Sequence, residues 1–199
     1  GSRGSKLALI YAKKAKDELL NFFKNFNEDQ IEIKEIVTSG DKIQDQRLSD
    51  LGGKGLFSKN IEDELLNKKI DIAVHALKDM PALETKGLKT NCFLKRNDPR
   101  EILISSDKKK LNELKINPII GTSAFRREFQ LTRLRKDLNC KLIRGNVDTR
   151  IKKLKNGQYD AIILAGAGIN FLNLNNEITQ FFSTSEIIPS AGQGIIALQ

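Results

Sequence analysis

Apolar residues recur at Leu9, Ala12, Ala15, Leu19, Phe22, Phe23 and Phe26, a helical spacing that predicts one amphipathic helix over 6–26 with Ser5 as its N-cap. The period then changes. IEIKEIVT (31–38) alternates apolar and polar positions as a half-buried strand does, GLFSKNIEDELLNKKI (55–70) reads as a second amphipathic helix, and DIAVHA (71–76) as a second strand. Asn97, Asp98 and Pro99 interrupt regular structure in KRNDPRE (95–101), and the pattern restarts after them. EILISS predicts a strand and LNELK a short helical turn. PIIGTS predicts a strand meeting a helix that starts near Ser123. CKLIRGN, VDTRIKKLKNG and YDAIILAGAG then give strand, helix with Gly157 as its C-cap, and strand. Short apolar runs alternating with helical stretches predict an α/β protein in two units. Ligands of such sheets gather at the carboxyl ends of strands, so a cleft between two lobes is the expected site.

Composition adds limits. With 199 residues, 39% hydrophobic and 30% charged, the chain affords a packed core. It contains no apolar run long enough to predict a membrane span, and no leader with a cleavage site opens it. Both ends look cut, which predicts a longer parent protein. A formal charge of +9 favours anionic partners. Tyr11 and Tyr159 are the only tyrosines, tryptophan is absent, and the ten phenylalanines sit mostly in apolar patterns, so a base-stacking platform is not expected. Cys92 and Cys140 form neither a disulfide framework nor a metal-ligand spacing, and suggest buried thiols in a reducing compartment.

Candidate chemistry lies at three places. GTSAFRREFQLTRLRKDL starts a helix after a strand, with Thr122 and Ser123 at its start and Arg126 and Arg127 in its first turn. Cations there oppose the helix macrodipole, a cost that an anion would remove. A solvated basic helix is the alternative. RGNVDTR adds Arg144 at a strand end and Arg150 in the next helix, and converging arginine forks suit several carboxylates. LGGKGLF lacks the spacing of a phosphate loop, leaving Lys54 and Lys59 available to anions beside a glycine-rich segment. His75, the sole histidine, reads as a hydrogen-bonded structural residue. Asp79 follows an apolar strand, beside Lys78 and ahead of Met80 and Pro81. There it serves either as a turn residue or as a group that moves protons and faces developing positive charge.

The ordered motifs SRGSKLAL, TSGD, GGKGLFSKNIEDELL, DIAVHALKDMP, NDPRE, GTSAFRRE, LIRGNVDTR, LKNGQYDAIILAGAGI and IIPSAGQG make the whole chain similar to the porphobilinogen deaminase (hydroxymethylbilane synthase) family. The resemblance implies a transferase of tetrapyrrole and heme biosynthesis. Four porphobilinogen molecules are condensed head to tail with loss of ammonia to give the linear hydroxymethylbilane. A dipyrromethane cofactor, held through a thioether to a cysteine, is the primer. By the resemblance Asp79 is the catalytic aspartate, which assists deamination and stabilises the azafulvene and the pyrrole nitrogens. Lys78, Ser5, Thr122, Ser123, Arg126, Arg127, Arg144 and Arg150 join Asp79 in holding the cofactor. Arg3, Arg144, Arg150 and Gln193 hold substrate, while Lys54, Phe57 and Lys59 belong to a loop that covers the cleft.

Three positions depart from the family pattern: Lys6 where proline is common, Phe171 where an arginine is common, and Ser190 for a frequent alanine. The family's third domain, which carries the attachment cysteine in a glycine-rich loop, is not expected within this stretch, and neither Cys92 nor Cys140 matches that cysteine. The implied fold is a pair of lobes like type II periplasmic binding proteins, each a mixed α/β sheet of five strands. Domain 1 is expected at 1–95 and 194–199, domain 2 at 100–188, and hinges at 96–99 and 189–193. The resemblance implies a monomer without metal, membrane or nucleic-acid partner, in a bacterial cytoplasm or a plastid-type organelle. The rival readings are a non-catalytic two-lobed binder of an anionic metabolite and a nucleic-acid-binding protein.

Overall fold

The computed structural model describes residues 1–42 and 55–199. They divide into two compact units, one of residues 1–42, 55–96 and 195–199, the other of residues 97–194.

In the first unit, helix α1 (Lys6–Phe22) begins where the Ser5 hydroxyl accepts the Ala8 N–H at 3.4 Å. Lys6 takes the first helical position, where the backbone N–H lacks an intrahelical partner, so the usual reason for proline there is met by other residues too. Ala12 and Ala15 are the buried positions of the helix. The helix stops at Phe22, short of the predicted end. Phe22, Phe23 and Phe26 instead stack edge to face on one another, with ring centroids 4.9 and 5.9 Å apart, and remain largely exposed.

Strand β1 (Ser2–Arg3) pairs in parallel with β2 (Glu35–Ile36). The predicted strand over 31–38 contracts to those two residues because a 3-10 turn at Glu28–Gln30 precedes it. Helices α2 (Ser39–Lys42) and α3 (Lys59–Leu66) follow. Strands β3 (Val74–Ala76) and β4 (Cys92–Phe93) flank the last strand, β10 (Ile196–Leu198), which runs antiparallel to both. Among the described residues this unit therefore holds two ladders rather than one five-stranded sheet. Gly1 joins them, its N–H reaching the Ile72 carbonyl at 2.7 Å and its carbonyl accepting the Val74 N–H at 2.9 Å. Ile36, Ile61, Ile70 and Ala73 form the core beneath.

The second unit is a five-stranded mixed sheet of β5 (Glu101–Ser105), β6 (Ile119–Gly121), β7 (Asn139–Lys141), β8 (Ala161–Ala165) and β9 (Gln180–Phe181), in the order β7-β6-β8-β5-β9. β6 lies parallel to β7 and β8, while β5 is antiparallel to β8 and β9. Helices α4 (Phe125–Leu134), α5 (Val147–Lys155) and α6 (Gly166–Phe171) each follow a strand. The strand period of two divides the core. Leu103, Ile120 and Ile163 pack with Leu131 and Phe182 in one cluster, and Ile102, Ile104 and Ile162 with Ile143, Ile151 and Ile169 in another. Each such fully buried aliphatic side chain contributes roughly 1.5–3 kcal/mol. After α5, Gly157 takes a φ of +75°, the left-handed conformation that ends the helix.

Asn97 and Gly194 bind each other where the chain leaves and rejoins this unit, the Asn97 N–H donating to the Gly194 carbonyl at 2.8 Å. Gly194 has a φ of +84°, and a Cβ there would stand 2.5 Å from the Asn97 carbonyl oxygen. Only glycine meets both conditions.

Candidate functional site

In the first unit the buried strand β3 runs into a 3-10 turn at Leu77–Asp79. The Leu77 N–H donates to the Ile195 carbonyl and the Met80 N–H closes back on Leu77, while Pro81 prevents the helix from continuing. The turn leaves Asp79 exposed and Lys78 half-buried. Two rings, the half-buried Tyr11 and the buried His75, sense the Asp79 charge. Burial, with the Asp79 charge added, pushes the Tyr11 hydroxyl well above its ordinary value. Burial pushes the His75 imidazole down, against the pull of Glu62 and of the hydrogen bond it donates to Gln199. Both rings are therefore neutral near pH 7.

Arg3 lies with its guanidinium 4.0 Å from the centroid of the Phe57 ring, a cation–π contact. Gly40 makes room for that ring, since a Cβ there would come within 2.5 Å of it. Ser5 is used as the cap of α1, and Lys59 opens α3 in an exposed position. Phe57 and Lys59 thus border the ordered start of α3, and Lys54 lies outside the described residues.

The second unit gathers its donors at the carboxyl ends of β6 and β7. Thr122 is buried, and its hydroxyl accepts the Ala124 N–H at 3.3 Å, forming the entry to α4. Arg150 donates through Nε to the Gly145 carbonyl at 2.8 Å and through a terminal nitrogen to the Ser123 hydroxyl at 3.4 Å. Lys153 reaches the Arg144 carbonyl at 3.1 Å. Ser123, Arg144 and Arg150 are thereby brought to the openings of α4 and α5.

Arg126 and Arg127 are placed differently from the expectation. The anion facing them is Glu101, the first residue of β5 and completely buried. Arg127, also buried, approaches it at 2.9 Å and donates to the Ile163 carbonyl at 3.3 Å. Arg126 binds Glu101 and the Ile188 carbonyl. Burial pushes the Glu101 carboxyl up, but Arg127 and Arg126 outweigh it and hold it below the usual carboxylate range. The macrodipole cost is thus met from within the protein. Gln193, expected beside substrate, is fully buried and donates to the Pro99 carbonyl at 2.7 Å. Sequence reasoning missed Glu101, although a charged residue opening the otherwise apolar run EILIS was the available signal. It also missed Tyr11 and Glu62, which are ordinary positions of helical patterns.

A family model described as "Porphobilinogen deaminase, dipyromethane cofactor binding domain" matches residues 1–199. The chain belongs to the porphobilinogen deaminase family. The porphobilinogen deaminase of Bacillus subtilis (strain 168) is 48% identical over 200 residues, covering 100% of this chain and 63% of that protein. The porphobilinogen deaminase of Brevibacillus brevis is 46% identical over 199 residues, again covering 63% of the relative. The chain thus spans just under two thirds of the length of these curated relatives. Among solved structures, a Bacillus subtilis lipoprotein described as methionine-binding aligns with a TM-score of 0.51 at 15% identity, covering 99% of this chain and 81% of that one. That likeness shows the fold alone, the α/β fold of periplasmic binding proteins.

The residues present suit the family's dipyrromethane. The Arg150 guanidinium on the Ser123 hydroxyl, at the starts of two helices, matches a ligand whose pyrroles carry carboxylates. Cys92 is exposed on β4, against the burial expected of it, and Cys140 is half-buried on β7 against the core. No helix among the described residues is long and apolar enough to cross a membrane.

Proposed function

We propose that the full-length protein is a hydroxymethylbilane synthase, a transferase that joins four porphobilinogen molecules head to tail and releases one ammonia from each. The observation that carries this reading is the family match over every residue of the chain. The Lys78–Asp79 turn at the end of a buried strand, described above, supports it. Asp79 faces the positive charge that develops on pyrrole nitrogen as the aminomethyl C–N bond breaks and the new C–C bond forms. Lys78, Arg3, Ser123, Arg144 and Arg150 take carboxylates. Ser5, Thr122, Arg127 and Gln193 are proposed to shape the backbone around those groups through their bonds to Ala8, Ala124, Ile163 and Pro99. Arg126 keeps partial exposure, with 29% of its side chain accessible, and is proposed as a binder shared between Glu101 and ligand. Phe57, Lys54 and Lys59 are proposed to border the substrate. Dipyrromethane, when bound, supplies the primer on which the chain grows.

The segments 96–99 and 189–193 are proposed as hinges, a reading supported by the positive φ of Gly192 and Gly194 in the return crossing. The protein is proposed to act as a cytoplasmic monomer on a small polycarboxylate rather than on nucleic acid, consistent with bacterial relatives. Incubating the full-length, primer-loaded protein with porphobilinogen is expected to consume it and yield a product that cyclises to uroporphyrinogen I, read by absorbance after oxidation. Absence of consumption contradicts the proposal.

A further inference from the structure

Glu62 lies in α3 with 5% of its surface exposed, and among the described residues no salt bridge compensates it. Two neutral donors hold it instead. The Thr85 hydroxyl donates to Oε2 at 2.9 Å, and the Gln199 amide Nε2 donates to Oε1 at 3.2 Å. The other end of that amide, Oε1, lies 3.2 Å from His75 Nε2. These contacts have a direction. A carboxylate only accepts, so Gln199 must turn its NH2 to Glu62 and its carbonyl oxygen to the imidazole. A neutral imidazole meets a carbonyl oxygen only by donating, so its proton sits on Nε2. The backbone of Gln199 is itself pinned to Ala73 by two bonds of 2.9 Å, and His75 lies opposite Ala197 in the β3–β10 ladder. Glu62 and Gln199 also line a cavity of ≈ 160 Å³ with Leu77, Met80 and Pro81, the residues that bracket the Lys78–Asp79 turn.

We propose that Glu62 is a positioning residue for Asp79. Acting through Gln199, it fixes His75 as the neutral Nε2–H tautomer and braces from behind the strand whose end is the Lys78–Asp79 turn. The chain Thr85–Glu62–Gln199–His75 ties α3, the end of β10 and β3 into one polar strut. It rests on the proposed reading of Asp79 for its functional half, while the tautomer stands independently.

The test is long-range ¹H–¹⁵N NMR of the imidazole in the full-length protein near neutral pH, with the His75 signal identified by its loss in His75→Asn. The native protein is expected to show the Nε2–H tautomer. An Nδ1–H ring or a charged imidazolium overturns the relay, and this reading is made on the native protein and needs no turnover. In Glu62→Gln the side chain donates as well as accepts, so Gln199 is released to turn over and both tautomers are expected. The same variant is expected to retain primer by intact mass and to keep KM, while kcat falls by up to about 100-fold, the scale of a displaced catalytic group. Unchanged kcat with mixed tautomers overturns the positioning role. An Nε2–H ring in a protein that never consumes porphobilinogen supports the relay and counts against the enzymatic reading alone.

Discussion

A carboxylate buried at the start of β5 changes what Arg126 and Arg127 do. Without Glu101, Arg127 would keep its charge in the interior with only a carbonyl to meet it, and breaking a buried pair in this way costs about 3–5 kcal/mol. Glu101→Gln is therefore expected to lower the unfolding free energy by an amount of that order, measured by urea titration. The pH dependence has a definite sign. The folded pKa of Glu101 lies below its ordinary value of 4.5, so its contribution is present above that value and is lost as pH falls through the folded one. His75 is depressed below 6.5 by burial. Below that pH the unfolded chain takes a proton that the native ring refuses, and stability is lost on acidification. Urea midpoints should fall between about pH 7.5 and about pH 5.5 in the native protein, and fall less in His75→Asn. What was legible at this scale was local: the Ser5 cap and the placing of Asp79 beyond an apolar strand follow from neighbours in sequence. The partnership of Glu101 with residues on α4 joins positions far apart in the chain, and no short window contains it.

At the level of elements, the second unit followed its sequence pattern best at β5, β6 and β8, the three inner strands of the sheet, and least at its edges, where β7 and β9 are short and largely exposed. EILIS is buried at every position, while YDAIILAGAG, expected as strand throughout, is strand only to Ala165 and turns into the unforeseen α6 at Gly166. The first unit was harder to read. Its ladders are two or three residues long, and alternation over 31–38 outlasts the hydrogen-bonded pairing at Glu35–Ile36. The overlong reading of α1 had a related cause, since Phe23 and Phe26 continue the helical spacing but touch one another in exposed positions rather than packing in the core. The crossing at Asn97 and Gly194 gives a sharp test. Gly194→Ala must hold a left-handed backbone, a cost of roughly 1–2 kcal/mol, and must also displace the Asn97 carbonyl. A lowered melting temperature in calorimetry is expected, whereas Gly157→Ala, which has open space around it, should show the backbone cost alone.

For the molecule as a whole, a formal charge of +9 attracts anions in general and names none of them. The specific reading came from many ordered motifs, and the family match over 199 residues agrees with it. The structure adds a division of labour among the arginines: Arg127 serves the interior, Arg126 joins it on Glu101 with part of its side chain exposed, and Arg150 lies at a helix opening beside Ser123. Sequence spacing alone treated the four arginines alike, because burial is decided by tertiary packing. The central claim is that Asp79 carries the chemistry of a porphobilinogen-condensing enzyme. The most direct measurement compares porphobilinogen consumption by the full-length, primer-loaded native protein and by Asp79→Asn under the same conditions. A fall of about 10²–10⁴-fold in kcat, with primer mass and melting temperature retained, is the predicted result. Consumption by Asp79→Asn at the native rate would contradict it.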